Sequence, residues 1–284
     1  MRKIVFSINI CLLLCCLFIA CDKKTVQRDN DVQFDSLEVK KEYHFKNDSE
    51  KPSCNLDIVF RYPASYTNAN VLTKIQSVFV RKFFGEAYKN MLPEEAVAAY
   101  KKQYFSDFES FQTNLELVAK DIEEDEREAQ DETQSAYYLK AENKIIYNKN
   151  NIISFIVEYN DYAGGAHGSK STYAYVINLG NGSLLTEDDI FNENTKSQMS
   201  KVIVSKIEKQ NGLSNAKQLE DIGYDNSSEI KPNGNFALDS NGITYFYNED
   251  EISPYIMGQT KVFLPYNEID IYLNDESPAA SLWR

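Results

Sequence analysis

The sequence predicts an α+β fold: an N-terminal α/β subdomain with long helices, followed by a mostly antiparallel sheet domain carrying one or two helices. Three observations carry this. Between about residues 68 and 132, apolar residues recur at 3–4 spacing, as on the buried face of a helix. From Ser135 the pattern changes to runs rich in β-branched and aromatic residues, punctuated by Asn/Gly turns. One further helical stretch, Thr195 to Gln210, interrupts those strands. At 284 residues, 43% hydrophobic and 26% charged, the chain is long and apolar enough for one or two folded domains.

The first segment pairs a basic start, Met1-Arg-Lys, with an apolar run from Ile4 to Ala20 that ends before Cys21. Residues 1–20 read as a secretory signal, and Leu17-Phe-Ile-Ala-Cys21 resembles a bacterial lipobox, with lipidation at Cys21. An uncleaved anchor is the alternative, since the run approaches the lower limit of about 17–25 residues for a membrane span. Residues 21–51 are polar and read as a flexible tether. Once the signal leaves and Cys21 is lipidated, Cys54 remains as a single thiol, which implies no internal disulfide and a structural role.

Residues 52–140 form the expected N-terminal subdomain. Leu56-Asp-Ile-Val-Phe-Arg-Tyr62 is a strand stopped by Pro63. Asn68 or Asn70 caps a helix whose inner face is Val71, Leu72, Ile75, Val78, Phe79 and Phe83. Pro93-Glu-Glu opens a second helix, because proline and acids suit a first turn; it runs on through Leu115 and Val118 to about Glu132, with a break on the way. Asp121–Glu132 holds eight acids and one arginine. It reads as a solvated face or loop rather than a calcium site, since the alternating oxygen ligands and turn glycine of a calcium loop are missing.

Residues 141–275 form the expected second domain. Tyr137–Tyr147, Ile152–Tyr159 and Thr172–Asn178 are strands, followed by a Gly180-Asn-Gly182 turn. Met199, Val202, Ile203 and Ile207 mark the inner face of the Thr195–Gln210 helix, ended by Asn211-Gly212. Residues 213–234 read as a loop-rich insertion. Asn235–Leu238 and Ile243–Tyr247 pair through Ser240-Asn-Gly242, Lys261–Tyr266 is the last strand, and the tail after about Asn274 reads as loose.

The formal charge is -13. A net negative chain repels nucleic acid and anionic surfaces and favours cationic partners. The stretch Tyr159-Asn-Asp-Tyr-Ala-Gly-Gly-Ala-His-Gly168 stands out, with three of the eleven glycines beside one of only two histidines. A phosphate loop would lead into a helix, whereas this loop leads into a strand. A catalytic zinc needs about three ligands, and a mature chain would hold only His44 and His167. A serine hydrolase would need His167 as base, yet no Gly-x-Ser-x-Gly elbow is present. Paired-carboxylate chemistry stays open, because acids are abundant. No cofactor and no metal is expected, and His167 reads as a structural or binding residue.

Several blocks carry a resemblance: the Tyr159–Gly168 stretch, the strand ending at Asn178, Leu185-Thr-Glu-Asp-Asp-Ile-Phe191, Phe236-Ala-Leu238, Ile243–Tyr247, Ile252-Ser-Pro-Tyr255, Gly258 and Val262-Phe-Leu-Pro-Tyr266. Over about residues 150–270 they resemble the extracytoplasmic domain of RsiV-type anti-sigma factors. Residues 52–140 resemble the domain that precedes it there and in some cell-wall polysaccharide deacetylases. The resemblance implies an α+β fold and a lysozyme-binding region. Only Met1-Arg-Lys precedes the apolar run, so no sigma-binding segment is expected, and no deacetylase domain either. The expectation is a non-enzymatic, lipid-anchored, extracytoplasmic envelope protein. Its ligand would be lysozyme, another cationic wall hydrolase, or peptidoglycan. Tyr159, Tyr162, His167 and Tyr173 would supply side chains and Gly164, Gly165 and Gly168 permissive backbone. The rival is a glycan or ester hydrolase using His167 or an acidic pair.

Overall fold

The computed structural model describes residues 27–118, 137–164 and 167–284. The signal, Cys21, the whole acidic run Asp121–Glu132 with the expected continuation of the second helix past Val118, and Gly165 lie outside the described residues. Nine strands form two sheets among the described residues. The larger runs in sequence order: β1 (Gln33–His44), β2 (Ser53–Ser65), β3 (Tyr137–Lys149), β4 (Ile152–Tyr162), β5 (Ser169–Asn178) and the short β6 (Ser183–Leu184). The smaller holds β7 (Phe236–Leu238), β8 (Gly242–Tyr247) and β9 (Thr260–Pro265). All neighbours are antiparallel except β2 and β3. A parallel pair needs a long crossover. Here it carries the two long helices, α1 (Ala69–Phe84) and α2 (Pro93–Val118).

The α1 helix forms where its apolar spacing places it. The Asn68 side chain accepts a hydrogen bond from Val71 N at 3.2 Å, satisfying one orphan donor of the first turn. Its buried face, Val71, Ile75, Val78, Phe79 and Phe83, packs with Phe108 of α2 onto Leu56, Ile58, Phe60, Phe155 and Val157 of the sheet. The opposite face of that sheet meets the small sheet, where Ile156 and Ala174 cluster with Ala237 and Phe246. Strand β4 is buried from Ile152 through Val157 because it is covered on both faces.

Beyond the small sheet lies a second core. The described chain carries α3 (Glu187–Ile190), α4 (Lys196–Gln210), α5 (Ala216–Asp221) and α6 (Tyr266–Ile269). Met199, Ile203 and Ile207 of α4 pack with Ile243, Tyr245 and Leu264 of the small sheet. The two sheets are also joined at an edge. Strand β6 pairs only with Ile177 and Asn178, so the outer edge of β5 runs on uncovered. Asn235 Oδ1 accepts from Ala174 N at 2.7 Å, and Asn248 Oδ1 accepts from Thr172 N at 2.8 Å. Asparagine side chains thus stand in for a neighbouring strand, which is how an edge avoids unpaired backbone.

The α+β class holds, and three expectations need correction. The tether does not extend to residue 51: Gln33–His44 is a strand, antiparallel to β2 from end to end. It lies at the sheet edge, and only Phe34, Leu37, Val39 and Tyr43 touch the core, so its composition looks like that of a linker. His44 accordingly ends a strand. Pro63 does not stop β2, which continues to Ser65. By then β2 has passed the end of its ladder with β3, and its register with β1 shifts beside Phe34, so the missing N–H costs no ladder bond. The tail is not loose: Ala279 and Leu282 are buried, and Trp283 packs against Tyr266 at 5.5 Å between ring centroids. The large sheet also takes strands from both sides of the expected boundary at residue 140, which falls inside β3.

Candidate functional site

The β4–β5 hairpin carries the Gly-rich stretch at its tip. Gly164 has φ +84°, a backbone region open mainly to glycine. At Gly168 a Cβ would lie 2.9 Å from the Asp161 carbonyl oxygen, so a side chain there would push the two strands apart. Both glycines therefore have a structural account.

The strand period of two divides the three expected tyrosines between opposite faces. Tyr159 turns toward the helices. It donates to Phe83 O at 2.7 Å, and burial pushes its phenol well above the ordinary tyrosine range. Tyr173 stands cross-strand from Val157 on that same helix side, edge-on to Tyr159 and 43% exposed. Tyr162 points to the other face, where it stacks with Tyr138 at 6.3 Å. The expected residues that are described therefore do not form one surface; Tyr159 packs against the core.

His167 is exposed. Its Nδ1 lies 2.9 Å from its neighbour's carbonyl, Gly168 O. Its ring stacks on Tyr255, with centroids 4.3 Å apart and planes 7° from parallel. Tyr255 opens a single 3₁₀ turn, Tyr255–Met257. Tyr255 is 47% exposed and Ile256 81% exposed; Met257 Sδ lies over Gly223, beside exposed Ile222. The cue was three large apolar residues in succession just before Gly258, at a place where no strand or helix could bury them. Tyr255, Ile256, Met257 and Ile222 thus leave apolar surface exposed near the hairpin tip.

Two other chemistries can be placed. Glu142 and Glu158 sit directly opposite each other on β3 and β4, and Lys144 Nζ bridges them, 3.0 Å from Glu142. The hydrogen bond that Lys144 donates to Glu158, aided by Glu142, holds its ammonium above the ordinary lysine range. Among the described residues, no group of three His, Cys, Asp or Glu side chains is placed to hold a metal ion. Cys54 is fully buried on β2, and burial pushes its thiol up to about 12. A thiol that stays protonated is a poor nucleophile. Native protein at pH 8 should leave Cys54 unlabelled by iodoacetamide, with full labelling in urea; native labelling at the rate of a free thiol would contradict this burial.

Among the described residues no helix is long and apolar enough to cross a membrane. A family model described as Deacetylase PdaC matches residues 47–170, and one described as Protein of unknown function (DUF3298) matches residues 188–267. The first match agrees with the resemblance of the N-terminal region to a domain found in polysaccharide deacetylases. No curated protein matches the chain. Among solved structures, a member of the DUF3298 family from Bacteroides fragilis is 30% identical, with 90% of this chain and 99% of that one covered and a TM-score of 0.78. A DUF3298 family protein from Pseudomonas aeruginosa, at 14% identity, 90% and 98% coverage and a TM-score of 0.59, shares the fold. Together the family matches point to a cell-envelope protein of unknown function. The likeness to the Bacteroides protein runs over nearly the whole of both chains, and this chain belongs to the DUF3298 family.

Proposed function

We propose that this chain is a non-enzymatic envelope lipoprotein that captures a cationic wall-cleaving protein, lysozyme in the first instance, on the face built by His167 and Tyr255–Met257. The observation that carries the reading is the His167–Tyr255 ring stack. It fixes the hairpin tip against the exposed apolar turn and so joins two of the blocks that resemble RsiV-type domains. A rigid aromatic beside an exposed aliphatic is the usual composition of a binding hot spot. The net charge of -13 favours a cationic partner and speeds encounter. The nearest polar neighbour of His167 Nδ1 is a backbone carbonyl, which favours recognition over base catalysis.

The topology supports display on a lipid anchor at Cys21. The first described residues pair with the β3–β4 turn: Asn150 N donates to Arg28 O, and the Asn30 side chain bonds Asn148. The His167 tip lies at the other end of the β4–β5 hairpin. Strand β4 has 11 residues. At about 3.3 Å per residue, that sets the candidate face about 35 Å from the point where the chain enters. A chain anchored at its N-terminus presents this face away from the membrane.

Titration of the chain with lysozyme at two salt concentrations tests the reading. Binding is expected at low salt, weaker as the Debye length falls from about 30 Å at 0.01 M to about 8 Å at 0.15 M. Tyr255→Ala and Ile256→Ser should each weaken it about tenfold, the cost of losing a central hot-spot side chain. Absence of binding at low salt, or variants that bind like the wild type, would overturn it.

A further inference from the structure

The helical side of the large sheet carries a second feature, independent of the His167–Tyr255 face. A cleft of about 640 Å³ runs along α1, walled by the segment that leads into α2 and by the turn between β5 and β6. Its volume falls within the range of small-ligand sites, about 300–1,000 Å³. Three cations line it, Lys74, Arg81 and Lys89, and no carboxylate does. In a chain with 43 acidic against 30 basic side chains, a cleft with that lining is a local inversion of charge.

The cations are held in place, and one is short of partners. Gly182, at the turn, approaches α1 so closely that a Cβ would lie 2.9 Å from Lys74 Cβ, and Lys74 Nζ donates to Asn181 O at 3.2 Å. Ser77 Oγ donates to Lys89 O at 2.8 Å, tying the far wall to α1. Glu86, at the rim, binds Lys89 Nζ at 2.6 Å and stands 3.9 Å from Arg81 Nε. That Nε is sealed from solvent and finds no hydrogen-bond acceptor. The Arg81 side chain as a whole nevertheless lines the cleft and is 34% exposed, so a guanidinium that shares one carboxylate with Lys89 still offers donors to an incoming anion. Burial first, and then the Arg81 charge, hold the neighbouring Lys82 ammonium below the ordinary lysine range.

We propose that this cleft binds a carboxylate-bearing oligosaccharide. Lys74 and Arg81 are seven residues apart on one helix, about 10 Å along its axis. That spacing suits a polymer with repeated charges better than a single small anion. Between and around the cations lie hydroxyl and amide groups of Thr73, Gln76 and Ser77, which suit sugar hydroxyls, while exposed Leu92 offers an apolar contact for a sugar face. A concave site with its cations inside admits a strand, whereas a flat lipid surface cannot enter it. The chain would then hold an anionic glycan on its helical side while the opposite side of the sheet stays free.

Calorimetric titration of the full chain with a muramic-acid tetrasaccharide, tetragalacturonate and neutral chitotetraose tests this. The first two share the carboxylates, and whichever binds tighter identifies the source. Each should bind at least about tenfold tighter than chitotetraose, the value of one charge-assisted hydrogen bond. Lys74→Gln and Arg81→Gln should each lose about tenfold, with an unchanged thermal midpoint required of the variant that is scored. His167→Ala should change nothing. Lys74 is exposed, so its variant stays informative if Arg81→Gln unfolds. Equal affinity for chitotetraose, no binding of either charged saccharide, wild-type affinity in the Lys74 variant, or binding only to phosphatidylglycerol vesicles would each overturn the proposal.

Discussion

Asn143→Ala is expected to destabilise the folded chain by about 3–5 kcal/mol, because two buried backbone groups lose partners worth about 1–3 kcal/mol each. The ladder between β2 and β3 ends at Val59 and Glu142. One residue further on, the Asn143 side chain extends it: Oδ1 accepts from Arg61 N and Nδ2 donates to Arg61 O, both at 2.7 Å. Asn143 is completely buried, so water cannot replace the amide. The Arg61 guanidinium, which donates to Asn143 O, stays in place because that acceptor is backbone. Urea unfolding of the variant measures the loss directly, and a loss below about 1 kcal/mol would show that Arg61 finds other partners.

Phe155→Ala should cost a comparable amount, about 3–5 kcal/mol, as is usual for truncating a fully buried phenylalanine. Phe155 lies in the buried half of β4, stacked on Phe79 of α1 at 4.0 Å and 16°, with Tyr175 at 5.2 Å on its flank. It fixes the helical layer to the sheet, and the layer cannot collapse into the gap without pulling α1 off its other contacts. Phe155→Leu, which keeps most of the volume, should lose less than about 1.5 kcal/mol. The same urea titration separates the two, and equal losses for both variants would mean that the ring stack, rather than the filled volume, dominates.

Much of the fold is legible in the sequence because periodicity and burial agree. Helix α1 follows from Asn68 and the Val71–Phe83 spacing, and β4 from an apolar run, Ile152–Val157, interrupted only by Ser154. Strand β1 is illegible for the converse reason. It is an edge strand whose outer residues, Glu38, Lys40 and Glu42 among them, face solvent, so its composition is that of a linker. Its pairing with β2, more than its side chains, holds it. The tail was missed because Ala279, Leu282 and Trp283 are too few and too irregularly spaced to show a period.

The site was half legible. Glycines and a rare histidine mark the hairpin tip, and the structure keeps His167 at the surface there. Tyr159 looks like a surface contact only while the strand is read without its alternation, whereas Tyr173 stays 43% exposed. Their parity with Val157 sends both to the helical side. Tyr255–Met257 lies 88 positions beyond His167 in sequence, counted from Tyr255, and nothing local links the two. Only the packing of the small sheet against the large one brings these rings together.

Hydrogen–deuterium exchange of the chain with and without saturating lysozyme tests the central claim most directly. The account predicts slowed exchange confined to the backbone around His167–Gly168 and Tyr255–Gly258, with α1 and α2 unchanged. Protection of the helical side instead, or no protection anywhere at low salt, would contradict it.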